Sequence, residues 1–394
     1  MKILVLCDRF PFPLQNGQNL RIYHYVTHLS KKHQFDLVCY GDNEIPFPLR
    51  KLFHKIKIFP NPRLTLKKER SSLIDLKGKF SIVSYKSQKM TSWLQENMSC
   101  QNYDLLWMSG VGAAANLPKV KKLPFLADII DSGLLTYWRS LRTAPTLEKK
   151  IRTGKRLIQE VIFEYSYFNK ADSSIVVSEL DARYLRWSCP QVPISTLHNG
   201  VDENYFFPDF KKTDPATIIF EGSMEFPPNV DAACFLVQDI LPHIEIEIPD
   251  IRVLLVGRDP TPAVLALAKS NVTVTGFVED IRPYLTQATV FVCPMRTGAG
   301  IKNKLLQAWS MGKPIIASPS AIGGLFVQEG ENILIRSGAK EIANAIVKVI
   351  KDKVLHQKLA EEGRKTICMH YTWEQKSKEL DSIFHFTVNT FHQK

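Results

Sequence analysis

The sequence has no long apolar run. No stretch of its 394 residues reaches the roughly 18 apolar residues that a membrane span needs. The first apolar segment, Met1–Cys7, is followed at once by Asp8 and Arg9, so it is too short for the core of a signal peptide. From these absences we expect a cytoplasmic protein.

Metal and disulfide signatures are missing as well. The seven cysteines are odd in number and scattered, and none forms a CxxC pair or lies at zinc-ligand spacing with histidines. The sequence also contains no DxD pair, which would supply two carboxylates to a cation. We therefore expect structural cysteines, no metal and no cofactor.

The glycine pattern of dinucleotide-binding folds does not follow the first predicted strand, Lys2–Cys7. The fingerprint GxGxxG needs its glycines in the turn directly after that strand. The first glycine, Gly17, comes ten residues after Cys7. This spacing disfavours a dehydrogenase.

Positive charge is in excess, and all of the excess lies in the first half of the chain. The formal net charge is +12. Residues 1–205 contain 30 Lys and Arg against 18 Asp and Glu, whereas residues 206–394 contain 21 of each sign. A one-sided basic surface predicts a polyanionic partner, such as an anionic membrane surface or a lipid pyrophosphate. The alternative is an ordinary solvated surface. Nucleic acid is disfavoured because no aromatic-basic recognition motif accompanies the charge.

Short apolar runs alternate with helix-compatible segments along the whole chain. The alternation predicts an α/β protein with two doubly wound parallel sheets, facing each other across a cleft that contains the carboxyl ends of their strands. Ile194–Asp202 is interpreted as the end of the first half. The predicted strands are Lys2–Cys7, Phe35–Tyr40, Lys55–Phe59, Tyr103–Met108, Pro124–Ile130 and, as the last of the first half, Ser173–Val177, followed by Thr217–Phe220, Ile251–Gly257, Val272–Thr275, Ala288–Pro294, Pro314–Ser318 and Ile333–Ile335.

The segment Met295–Pro314 carries the main functional signal. Gly298 and Gly300 follow a predicted strand and precede a predicted helix, Lys302–Met311. Such a turn offers unpaired backbone N–H groups and the positive end of a helix dipole, and two lysines add charge. The pattern favours binding of a diphosphate. The alternative is that the glycines serve packing alone.

Seven motifs, in order and within residues 3 to 320, resemble those of family 4 glycosyltransferases of the GT-B fold. They are PFPLQNGQNLR, ADIIDS, LHNGVDENYF, FEGSMEFPPNVDA, LLVGRDP, VTGFVEDIRPYL and GAGIKNKLLQAWSMGKPIIAS. The nearest resemblance is to the sugar transferases of bacterial exopolysaccharide clusters. It implies two Rossmann-like domains facing a cleft. Residues 1–202, with a closing helix at 374–394, would bind the acceptor, and residues 203–373 would bind the sugar nucleotide.

The resemblance also implies a reaction and a set of site residues. A sugar would pass from a nucleotide-diphosphate sugar to a glycan or lipid-linked acceptor, with retention. The implied donor contacts are Gly222 and Ser223 at the phosphates, Phe277 and Val278 at the base, Gly298 and Gly300 through backbone N–H groups, and Lys302 and Lys304 as neutralising cations. Gly17 would lie in the first loop, where a side chain would collide with substrate. Arg258 would share the phosphate role, and Arg296 would contact phosphate or pair with a carboxylate.

Three positions depart from the family pattern or stay open. Gln307 stands where the family usually has a glutamate that accepts both ribose hydroxyls, and Gln accepts such bonds less strongly. Asp131 stands where many relatives have a histidine, and it would act on the acceptor hydroxyl or cap a helix. His198 is interpreted as a structural residue at the junction. The other readings are an epimerase or hydrolase of the same fold, and a binding protein with a decayed site.

Overall fold

The computed structural model describes residues 1–14, 17–41, 47–61, 86–99, 101–118, 122–144, 146–209, 216–297 and 302–393. The chain forms two compact units, Met1–His198 with Trp373–Lys394, and Asn199–Thr372. The sequence placed these boundaries at residues 202 and 373. The first boundary lies earlier because Val201 belongs to the second unit, where its N–H donates to the Tyr371 carbonyl (2.8 Å).

The first unit contains a seven-stranded parallel sheet in the order β3-β2-β1-β4-β5-β6-β7. Its strands are β1 (Lys2–Cys7), β2 (Gln34–Tyr40), β3 (Lys55–Phe59), β4 (Leu105–Ser109), β5 (Phe125–Ile130), β6 (Ser173–Val176) and β7 (Ile194–Thr196). The prediction that Ser173–Val177 is the last strand of the first half was wrong. Strand β7 has three half-buried residues at the sheet edge, too short to give an apolar pattern.

The helices of the first unit cover this sheet. They are α1 (Gly17–Leu29), α2 (Phe47–Arg50), α3 (Gln88–Asn97), α4 (Gly133–Thr143), α5 (Leu147–Phe168) and α6 (Glu179–Ser188), with a 3₁₀ helix at Val111–Asn116. Three of them, α2, α4 and α6, were not predicted. The two longer ones, α4 and α6, each begin after a serine whose hydroxyl accepts from a backbone N–H in the first turn: Ser132 from Leu135, and Ser178 from Asp181.

The second unit contains a six-stranded parallel sheet in the order β10-β9-β8-β11-β12-β13. Its strands are β8 (Thr217–Glu221), β9 (Arg252–Val256), β10 (Val272–Val274), β11 (Val290–Cys293), β12 (Ile315–Ala317) and β13 (Leu334–Ile335). Its helices are α7 (Pro227–Phe235), a π-helical turn (Leu236–Ile240), α8 (Leu241–Glu245), α9 (Pro262–Leu265), α10 (Arg282–Gln287), α11 (Asn303–Ser310), α12 (Ala339–Lys351) and α13 (Lys353–His370). The prediction of two parallel α/β units is confirmed.

The final helix, α14 (Trp373–His392), packs on the first unit. Trp373, Leu380 and Phe384 are buried in the same apolar cluster as Ile3 and Val5 of β1. In the part of the chain that is described, no helix is long and apolar enough to cross a membrane.

A buried ion pair joins α1 to β5 in the first unit. Arg21 Nε donates to Asp128 Oδ2 at 2.9 Å, and both side chains are fully buried. Arg21 Nη1 also donates to the Leu197 carbonyl at 2.9 Å. Burial raises the pKa of Asp128, and the Arg21 guanidinium counteracts this rise. The pair thus fixes the first helix against the centre of the sheet.

We expect Arg21→Met to destabilise the first unit by about 3–5 kcal/mol, because it leaves Asp128 as a buried charge without its cation. Urea unfolding followed by circular dichroism measures the change. Arg186→Met is the matched control. Arg186 pairs with Glu179 at the exposed surface, so its loss should cost less than about 1 kcal/mol. Equal losses in the two variants would contradict the structural role given to Arg21.

Candidate functional site

The candidate site lies at the carboxyl ends of β8 and β9 in the second unit. These strands are parallel neighbours, so the turns that follow them, Gly222–Ser223 and Gly257–Arg258, leave the same edge of the sheet. The two glycines are in close contact. Gly222 N–H donates to the Val256 carbonyl at 3.0 Å, and a Cβ atom on Gly257 would overlap the Gly222 carbonyl. The backbone therefore needs glycine here.

Lys304, in the first turn of α11, reaches into this pair of turns. Its Nζ donates to the Glu221 carbonyl and to Asn229 Oδ1 (3.0 Å), and it lies 4.5 Å from the centre of the Phe220 ring. A Cβ atom on Gly222 would lie 2.6 Å from Lys304 Nζ. The structure thus brings together Gly222 and Lys304, two residues that the sequence assigned to the same phosphate role.

The electrostatics of Lys304 are those of an enclosed cation. Burial lowers the pKa of its ammonium, which means that the charged form is held in a poorly solvated place. Burial raises the pKa of the neighbouring Glu221, and the charge of Lys304 counteracts that rise. The hydrogen-bond acceptors described for Nζ are a backbone carbonyl and an amide, both neutral. A bound anion would therefore stabilise the ammonium further.

Ser223 supplies a buried hydroxyl to the same turn. Its Oγ has no hydrogen-bond partner among the described residues. Its carbonyl accepts from Asn229 Nδ2 at 2.9 Å, so the amide that contacts Lys304 also holds this turn. A second buried hydroxyl without a described partner, Thr261 Oγ1, lies in a residue whose N–H donates to the Met224 carbonyl (3.3 Å). Buried hydroxyls normally find partners, so these two hydroxyls could take ligand oxygens as their partners.

Asn229 and Thr261 were not singled out from the sequence. Asn229 occurs within the quoted motif FEGSMEFPPNVDA, which was the signal available for it. Thr261 precedes the short helix that begins at Pro262, and nothing in the surrounding sequence marks it as a site residue.

The glycines of the predicted anion loop, Gly298 and Gly300, lie outside the described residues. Helix α11 begins at Asn303, with Lys302 at its N-cap and no side-chain capping bond. Gln307 is half-buried in the second turn of α11. Its backbone carbonyl accepts from Met311 at 2.9 Å. The phosphate role of the loop therefore stays a prediction, and so does the ribose role of Gln307.

The other residues predicted to contact the donor substrate differ in their exposure and in their partners. Arg258 is exposed, and its Nε lies 3.6 Å from the Asp259 carboxylate. Phe277 is 64% exposed, whereas Val278 packs on the core of the unit, and their role at the base stays a prediction. Arg296 has the carboxylate partner that was the alternative for it.

In detail, Arg296 Nε donates to Asp231 Oδ2 at 3.0 Å, and its guanidinium lies 4.7 Å from the Phe235 ring centre. Its hydrogen bonds to Asp231 raise the pKa of Arg296. This pairing explains the position of the side chain without a phosphate.

In the first unit, three predicted residues are described. Gly17 is the first residue of α1. Asp131 is exposed, and it follows Ile130, whose φ of +71° is unusual for a β-branched residue. The N-cap role considered for Asp131 belongs to its neighbour Ser132. His198 lies with its Nδ1 2.7 Å from the Val177 carbonyl, and burial lowers its pKa, as expected for a structural histidine.

Residues 215–352 match the family model described as glycosyl transferases group 1. The lipopolysaccharide core biosynthesis glycosyltransferase LpsE of Rhizobium meliloti is 30% identical over 106 residues. That alignment covers 26% of this chain and 31% of LpsE, so the chain spans about a third of the relative. The matched family segment contains Gly222, Ser223 and Lys304.

Solved structures match over the whole length. Sucrose-phosphate synthase from Thermosynechococcus elongatus superposes with a TM-score of 0.72 at 16% identity, covering 100% of both chains. Anabaena HepE, solved in complex with UDP-glucose, superposes with a TM-score of 0.65 at 14% identity, covering 98% of this chain and 99% of HepE. These likenesses show the fold, and the prediction of the GT-B fold is confirmed.

We expect Gly257→Ala to disrupt the two-turn site, because the new methyl group would overlap the Gly222 carbonyl. The control is Gly330→Ala. Gly330 also has a positive φ, +76°, but a Cβ atom there meets nothing within 4 Å, so only the backbone strain of about 1 kcal/mol applies. Thermal unfolding of the second unit should show the larger loss for Gly257→Ala. A smaller or equal loss would mean that the two turns do not depend on this close approach.

Proposed function

We propose that the chain is a glycosyltransferase that moves a sugar from a nucleotide-diphosphate sugar to a glycan or lipid-linked acceptor, with retention. The observation that carries the proposal is the contact of Lys304 with the Glu221–Gly222 turn and Asn229, at the carboxyl end of β8. These residues lie within the segment that matches glycosyl transferases group 1.

The geometry suits the departure of a nucleoside diphosphate. As the glycosidic bond breaks, negative charge grows on the leaving oxygen, and a preorganised ammonium favours that state over the ground state. Lys304 supplies this charge, and Ser223 Oγ supplies a hydrogen bond. Lys302, at the N-terminal end of α11, adds a second cation. In this proposal the cations and the helix N-terminus replace a metal ion.

The acceptor side is assigned to the first unit. Asp131, exposed at the carboxyl end of β5, would accept the proton of the acceptor hydroxyl or hydrogen-bond the donor sugar. The likeness to LpsE supports a role in polysaccharide or cell-surface glycan synthesis. The excess positive charge of the first half supports a cytoplasmic enzyme that works peripherally at the inner face of the cell membrane.

Gln307 favours a second candidate, a nucleotide-binding homologue with weak catalysis. If this position contacts the ribose, the change from the expected glutamate removes a charged acceptor. Such a protein would bind sugar nucleotides with little turnover, and Gln307→Glu would then increase its activity.

The proposal is tested by incubating the protein with a panel of sugar nucleotides and measuring nucleotide release with and without lipid-linked or glycan acceptors. We expect release that depends on an acceptor. Free sugar or an isomerised nucleotide without any acceptor would instead identify a hydrolase or an epimerase. Binding without turnover would identify the weak homologue. Neither binding nor release with any donor would reject the proposal.

Within the same assay, Lys304→Ala should reduce activity more than Gln307→Ala. Removal of an enclosed cation from a developing charge costs on the order of 3 kcal/mol, or more than a hundredfold in rate. Thermal unfolding of both variants, measured alongside, separates this effect from a loss of folded protein. The reverse ranking at equal stability would remove Lys304 from the phosphate role.

A further inference from the structure

Helix α5, the longest helix that the structure describes, has apolar residues on two sides. One side is buried in the first unit and carries Phe163, Phe168 and two carboxylates. Five further large side chains are between 51% and 74% exposed: Leu147, Ile151, Ile158, Ile162 and Tyr165. At about 100° per residue, these five fall on one narrow stripe, roughly opposite the buried side. We call them the exposed stripe.

The buried side of α5 is fixed by its carboxylates. Glu164 accepts from Leu134 N–H at 3.2 Å and from Ser188 Oγ at 2.5 Å, which ties α5 to α4 and α6. Glu160 lies against Gly133, where a Cβ atom would collide with its carboxylate. Burial, then repulsion by Glu164, raises the pKa of Glu160 to about 7. The helix therefore cannot rotate to bury the exposed stripe without breaking these contacts.

The exposed charges of α5 are mostly positive. Residues 133–170 contain eight Lys and Arg but three Asp and Glu. Two of the three acids are the buried Glu160 and Glu164. The third, Glu148, is exposed and pairs with Arg152 at 2.6 Å. The exposed cations of α5 are Lys149, Lys150, Arg152, Lys155 and Arg156.

We propose that the exposed stripe docks on an anionic lipid bilayer. The five apolar side chains enter the boundary between headgroups and acyl chains, while Lys150 and Lys155, which flank the stripe at about 100° per residue, face acidic headgroups. Charge selects this occupant over a second copy of the chain, because two such helices face to face would bring like charges together. The inference gives the proposed peripheral location a specific element. Its readout is vesicle binding, so it succeeds or fails independently of sugar transfer.

The test is cosedimentation of the full chain with vesicles of phosphatidylcholine alone and of phosphatidylcholine with phosphatidylglycerol. The wild-type chain should bind the anionic vesicles preferentially. Ile158→Ser with Ile162→Ser should weaken that binding by about tenfold or more, because the burial of two large side chains is lost. The matched control, Ile246→Ser with Leu265→Ser, removes residues that are 78% and 52% exposed in the second unit, and it should bind as the wild type does.

The role of charge is tested with Lys150→Gln and Lys155→Gln together, which should weaken binding to anionic vesicles. The control is Lys340→Gln with Lys348→Gln, two exposed lysines of the second unit. No binding by the wild-type chain would overturn the proposal, as would equal binding to neutral and anionic vesicles. Equal losses in a variant and its control would also overturn it. So would a dimer on size-exclusion chromatography that the isoleucine variant abolishes while vesicle binding stays intact, since this would assign the stripe to a second copy.

Discussion

The candidate site of the second unit depends on a turn that has no room for side chains and that encloses the ammonium group of Lys304. Gly222 and Gly257 approach so closely that a methyl group on Gly257 would strike the opposite backbone. This approach leaves the Glu221 carbonyl and the Asn229 amide positioned to receive Lys304. Lys304 is therefore already fixed and partly desolvated before any ligand arrives. A cation prepared in this way responds strongly to an added negative charge.

The first unit is organised around buried charges of a different kind. Arg21 and Asp128 neutralise each other in the middle of the sheet, and they fix α1 beside β5, the strand that precedes Asp131. Glu160 and Glu164 are buried with no cation beside them among the described residues, and burial holds their pKa values above the ordinary range. They orient α5 so that its exposed stripe points away from the rest of the unit. The buried polar groups of the first unit therefore fix the positions of α1 and α5.

Most of the fold could be predicted from the sequence, because buried parallel strands are nearly continuous apolar runs. Lys2–Cys7 and Lys55–Phe59 have the same bounds in the structure as in the prediction. Strand β7 was missed because three half-buried residues give no period. Helices α4 and α6 were missed although Ser132 and Ser178, which precede them as N-caps, are the kind of residue that marks a helix start.

The candidate site could be predicted in outline but not in its contacts. The resemblance pointed to Gly222, Ser223 and Lys304, but it gave no reason to expect a bond between residues 83 positions apart. Asn229 joins the Gly222–Ser223 turn to Lys304 through its amide, and no local sequence pattern indicates this tertiary contact. The pairing of Arg296 with Asp231 is equally non-local.

The most direct measurement is a crystal structure of the chain with a bound nucleotide-diphosphate sugar. The account predicts diphosphate oxygens within about 3.2 Å of Ser223 Oγ and of Lys304 Nζ, at the turns after β8 and β9. A sugar nucleotide bound in the crystal with its diphosphate remote from both atoms, and with Lys304 still satisfied by Glu221 and Asn229 alone, would contradict it.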